Sequence, residues 1–165
     1  MDSNLTKILA FVAVMLLGFL ASHAVFGMGA ESAPARALQE INKFRAQNSH
    51  AALTRDARLD RAARRHAQAM ADRDFFSHTG ADGSIIGERV SEAGYVWRAV
   101  AENIAAGIED PVRIVGMWID SPGHRKNMLI PEMVHAGLAH VRRDPDPGKV
   151  DYRDYWVLVL AAPPK

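Results

Sequence analysis

The sequence predicts an α/β fold, a three-layered α/β/α sandwich, on three observations. Near the C-terminus, Tyr155-Trp156-Val157-Leu158-Val159-Leu160 is continuously apolar, the pattern of a strand covered on both faces. Upstream, two segments place their apolar residues at helical rather than alternating spacing. The chain has 165 residues, enough for one ordinary domain, so helices must flank one sheet on both sides.

The elements follow in chain order. Residues 8–30 contain no Asp, Glu, Lys or Arg, and Ile8 to Leu20 is almost wholly apolar. Two readings stand for residues 1–30. One is a signal peptide cleaved near Ser22-His23-Ala24. The other is an uncleaved anchor, because the charge-free stretch is long enough to cross a bilayer core of about 30 Å. Both put residues 31–165, the folded domain, outside the cytoplasm. A first helix starts at Ser32-Ala33-Pro34, with proline in the first turn, carries Ala37, Leu38, Ile41 and Phe44 on one face, and ends at Asn48-Ser49-His50. A second spans about Asp56 to Asp74. Its apolar stripe is Leu59, Ala62, Ala63, His66, Ala69 and Met70, and its arginines form a solvated face.

Thr79 to Ser84 is a turn-rich link holding Gly80 and Gly83. Ile85 to Ala93 reads as a short helix stopped by Gly94. Arg98 to Ala105 reads as a strand or extended segment. Asp110-Pro111 starts another helix, because Asp caps free backbone donors and Pro suits the first turn; Val112, Val115, Trp118 and Ile119 form its buried face. Residues 134–141 alternate as a strand. A loop through Asp144-Pro145-Asp146-Pro147-Gly148 leads into the closing apolar strand. Trp97, Trp118 and Trp156 read as core.

Composition narrows function. Twenty Lys and Arg against nineteen Asp and Glu give a net charge of +1, without the basic excess a nucleic-acid binder shows. There is no cysteine, which excludes disulfides, thiolate metal sites and cysteine nucleophiles. Gly-x-Ser-x-Gly is absent, so nothing marks a serine hydrolase.

Chemistry concentrates in three segments: Phe75-Phe76-Ser77-His78, Ala101-Glu102-Asn103-Ile104-Ala105, and Trp118 to Leu129 with Ser121-Pro122-Gly123-His124-Arg125-Lys126-Asn127. Their order, with Ala93-Gly94-Tyr95 between the first two and Gly137 downstream, resembles the bacterial SCP-like branch of the CAP superfamily, the domain of cysteine-rich secretory proteins, antigen 5 and plant pathogenesis-related proteins. The resemblance covers roughly residues 38 to 160. It implies an α/β/α sandwich with a small, mainly antiparallel sheet covered by helices on both faces. It also implies a groove to which His78, Glu102 and His124 map, with Ser121 and Asn103 beside them. Where the family pattern expects a second acid, after Trp118, this sequence has Ser121, with Asp120 next to it.

Chemically, two imidazoles and a carboxylate can hold zinc or another divalent metal and leave a position open for water, or serve acid–base work. No short local metal motif is present, so the three make a site only if the fold brings distant segments together. Plainer roles compete. His78 suits a helix C-terminus, Glu102 can pair with an arginine, Asn103 can satisfy turn backbone, and Ser121 reads first as a helix cap. His66 reads as a satisfied core histidine. His135 and His140 fall on opposite faces of one strand and cannot share a site.

Three functions are expected in order. The first is an extracytoplasmic ligand-binding or interaction module; the resemblance implies a small apolar ligand, an envelope component or a protein partner. The second is a metal-dependent hydrolase acting on a cell-envelope component. The third is an envelope scaffold tethered to the membrane through residues 8–30.

Overall fold

The computed structural model describes residues 31–165. The signal-peptide and anchor readings lie outside the described residues, and no helix among the described residues is long and apolar enough to cross a membrane. The chain runs α1 (Ala33–Gln47), β1 (Thr54–Arg55), α2 (Ala57–Asp72), α3 (Ile86–Glu92), β2 (Ala99–Ala106), α4 (Pro111–Asp120), α5 (Pro122–Met128), β3 (His135–Arg142) and β4 (Asp154–Ala162).

Helix starts are where local chemistry puts them. Side-chain oxygens of Ser32, Asp56 and Asp110 accept from the amides of Ala35, Arg58 and Arg113 at 3.4, 2.8 and 2.8 Å, satisfying donors that the first turn leaves unpaired. Gly94, at φ 82°, follows the end of α3 in a conformation that costs glycine little.

The four strands of the described residues lie in the order β1-β3-β4-β2. Only the short β1–β3 pair is parallel; β3–β4 and β2–β4 are antiparallel. Every residue of β4 is buried, because both faces are covered. Trp156, Leu158, Leu160 and Ala162 pack with α1, α4 and α5, whereas Tyr155, Val157, Val159 and Ala161 pack with α2 and α3. This is the α/β/α sandwich, with two hydrophobic half-cores sharing one central strand.

The structure departs from the expected elements in four places. β1 has no signature in the sequence, since two residues are too few to show periodicity. On α4, Val112 is 40% exposed and Ile114 takes the buried place beside Val115 and Trp118, because α4 turns its 114–115–118 face inward. On α2, Ala67 rather than Ala69 completes the stripe. Trp97 is 37% exposed: it lies over Gly87, where a Cβ would sit 2.7 Å from the indole, and its Nε1 donates to the Gly87 carbonyl and to Ser91 Oγ.

Candidate functional site

The site is built around β2, which among the described residues pairs only with β4 and so forms one edge of the sheet. Alternation along that strand sends Glu102, with Val100 and Ile104, toward the α2/α3 layer, and Asn103, with Ala101 and Ala105, toward α4 and α5. Neighbouring residues of one strand thus serve opposite layers.

On the first side, Glu102 is almost wholly buried, with 3% of its side chain exposed, while the His78 side chain is 57% exposed. Oε1 of Glu102 lies 2.8 Å from His78 Nδ1. A carboxylate at that distance requires the ring proton on Nδ1, which leaves Nε2 directed away from the pair. Oε2 accepts from Arg89 Nη2 at 2.8 Å. Burial disfavours the Glu102 charge, but the His78 hydrogen bond and the Arg89 charge outweigh it and hold the carboxyl below the ordinary glutamate range. Behind them, His66 sits on the inner face of α2 with Nε2 2.9 Å from the Ser77 carbonyl. Burial depresses its pKa, which favours the neutral ring; because the carbonyl can only accept, Nε2 is the donor.

On the second side, α5 is tied to the strand through side-chain amides. Asn103 Nδ2 donates to the His124 carbonyl at 3.1 Å; Asn127 Nδ2 donates to Asn103 Oδ1 at 3.0 Å and to the Glu102 carbonyl at 3.2 Å. Two asparagines therefore fix the turn that carries His124. Burial, and then the charge of His78, lower the His124 pKa. Ser121 joins α4 to α5, but its side chain makes no cap hydrogen bond; it lines a cleft beside His124. That cleft is about 320 Å³, and its other walls include Phe76, Met117, Trp118 and Tyr152.

The structure thus joins His78 directly to Glu102, joins Asn103 to the backbone of His124, and sets Ser121 and His124 on one cleft wall. No group of three or more His, Asp or Glu among the described residues lies close enough together to hold a metal ion. Sequence reasoning missed Arg89, Met117 and Tyr152. Asn127 stood in a motif segment, whereas these three did not; an arginine on a short helix reads as a solvated charge. His135 bonds Tyr95 at 2.8 Å, and His140 stacks on Trp156 and bonds Asp154. The two histidines stand apart from this site on opposite faces of β3.

Residues 38–160 match the cysteine-rich secretory protein family, CAP. The chain belongs to the CAP family. Among curated proteins, this CAP domain is 34% identical over 86 residues to YkwD of Bacillus subtilis strain 168, covering 52% of this chain and 34% of that protein. It is 28% identical over 106 residues to the membrane protein YlbC of the same organism, covering 64% of this chain and 31% of that one. The chain therefore spans about a third of the length of the curated relatives it matches. Among solved structures, an extracellular SCP-domain protein from Bacillus anthracis matches with a TM-score of 0.68 and 24% identity, covering 79% of this chain and 40% of that one. An outer surface protein of Borrelia burgdorferi matches with a TM-score of 0.68 and 21% identity, covering 77% of this chain and 90% of that one. These likenesses show the CAP fold.

Proposed function

We propose that this chain is an extracytoplasmic CAP domain that binds a small apolar ligand, or the apolar part of an envelope component, in the cleft beside His124. One observation carries the reading: Phe76, Met117 and Tyr152 are 38, 46 and 44% exposed around a single cleft floored by Trp118. Scattered apolar exposure is ordinary, but large apolar side chains gathered around one concavity mark binding. Residues 8–30 would deliver the domain outside the cytoplasm, as a signal peptide or as a tether. The extracellular and outer-surface character of its structural neighbours supports that location.

A fluorescent fatty acid titrated into the protein should bind saturably. The Phe76→Ser, Met117→Ser double variant, altered only at exposed positions, should bind at least roughly tenfold more weakly, since each lost side chain removes about 1.5–3 kcal/mol of apolar burial. Equal affinity in both proteins would remove the cleft from consideration.

A second reading, the metal-dependent hydrolase, is favoured by the Glu102–His78 pair. A carboxylate behind an imidazole fixes its tautomer and raises its basicity, as outer partners of metal-ligating histidines do. Both Glu102 oxygens are engaged by His78 and Arg89, so His78 and His124 would hold the ion and Glu102 would position His78. Zinc or another divalent metal there would supply an electrophile and an acidified water. Calorimetry with zinc should show near-stoichiometric uptake that a His78→Ala, His124→Ala variant loses; identical heats from both proteins would end this reading.

A further inference from the structure

A separate cavity of about 210 Å³ opens between α2, α3 and the 79–84 link, lined by Arg65, Arg73, Asp82, Ser84, Arg89 and Glu92 among others. Its hydrogen-bonding capacity is lopsided. Arginine offers five donors and no acceptor. Arg89 is 5% exposed. Its Nη1 donates to the Ser84 carbonyl, and its Nη2 donates to the His78 carbonyl and Glu102, but its Nε, although buried, has no partner. Among the described residues, Arg65 uses only Nη2, toward the Arg89 carbonyl and Glu92. Arg73 forms no ion pair among the described residues, although its charge reaches Asp82.

One oxygen of each carboxylate in the lining is already committed. Asp82 Oδ1 takes the Ser84 amide at 3.0 Å, and Glu92 takes Arg65. The arginine N–H groups left over still outnumber the two carboxylate oxygens left over, and one of those donors belongs to a side chain more than nine-tenths buried, so the complement of the lining is a group rich in acceptors and poor in protons.

We propose that this cavity is a phosphoryl-binding site, distinct from the groove at His124. Three arginines line it, Arg65 on α2, Arg73 just past its end and Arg89 on α3. A tetrahedral phosphoryl presents three terminal oxygens to them, whereas a carboxylate presents two. The volume is that of roughly seven water molecules at about 30 Å³ each. It thus accommodates a phosphate ester as well as the free ion, and both sources share the same chemistry. Arg89 also belongs to the Glu102 network, so an oxyanion here would sit directly behind the residue that steadies His78.

The test is calorimetry on the full chain in maltoside micelles, at constant ionic strength, with inorganic phosphate, sn-glycerol 3-phosphate and acetate as probes. Saturable phosphate binding, weakened roughly tenfold or more by Arg73→Gln, is the expected result. Arg65→Gln serves as a second variant should the first fail to fold, and exposed Arg113→Gln should change nothing. Tighter binding of glycerol phosphate would assign the site to an ester, and equal binding to the free ion; either supports the proposal. Absence of saturable binding, acetate binding as tightly as phosphate, or indifference to both cavity variants would overturn it.

Discussion

Gly137→Ala should destabilise the domain by about 3 kcal/mol or more, at the upper end of what overpacking costs. The backbone φ at Gly137 is not positive, so alanine suits the local conformation and the effect isolates sterics. A Cβ there would fall on the carbonyl carbon and oxygen of Leu59 and the amide nitrogen of Asp60, far inside contact distance. These are backbone atoms and cannot rotate aside as a side chain would. The same contact is locked by Asp60, whose Oδ1 accepts the Leu138 amide at 2.9 Å. Relief would require lifting the start of α2 off β3, opening the half-core that contains Leu59, Ala62 and Ala139. Urea unfolding measures this directly. A midpoint within experimental error of the parent would mean that the helix and strand separate without cost and that their close approach is not structural.

Arg45→Met should be comparably severe, about 3–5 kcal/mol, the range for removing one partner from a buried charged network. Arg45 is fully buried in α1, and no carboxylate shares its site among the described residues. It donates instead to four carbonyls: from Nε to Ala51 at 2.8 Å, from Nη1 to Met128 at 2.6 Å and Ile130 at 3.3 Å, and from Nη2 to Met133 at 3.2 Å. One side chain so ties the end of α1 to the whole turn between α5 and β3. Methionine fills a similar volume but takes the guanidinium donors away from the Ala51, Met128 and Met133 carbonyls, while the Ile130 carbonyl keeps the Met133 amide, and buried groups left without a partner carry their full desolvation cost. Arg45→Lys should recover part of the loss, because an ammonium reaches fewer acceptors than a planar fork. Exposed Arg36→Met on the same helix should stay within about 0.5 kcal/mol of the parent. If Arg45→Met and Arg36→Met unfolded at the same urea concentration, the carbonyl cluster would have to be satisfied some other way.

Much of the fold was legible because its signals are local. The run from Tyr155 to Leu160 announced a strand buried on both faces, and Ser32, Asp56 and Asp110 announced helix starts that their side chains do cap. What escaped is set by tertiary contact. β1 exists because two residues happen to lie beside His135 and Ala136. Trp97 is held at the surface by Gly87 and Ser91 rather than drawn inward. The site divides the same way. His78, Glu102 and His124 stood out by motif order, but no periodicity relates a loop, an edge strand and a short helix. Arg89 could not be read at all: its burial depends on Glu102, the Ser84 carbonyl and the His78 carbonyl meeting around it. Arg45 likewise resembles any other helical arginine until the 128–133 turn folds over it.

The placement of the groove on β2 bears on when the site comes into being. His78 belongs to the α2 side of the molecule and His124 to the α5 side, and only one strand's thickness separates the layers that carry them. Neither layer contains both histidines. A partly folded chain with every helix formed, but with residues 99–106 not yet zipped onto 155–162, would own each candidate residue and still have no groove. The site thus depends on the pairing of β2 with β4 and not on the helices alone.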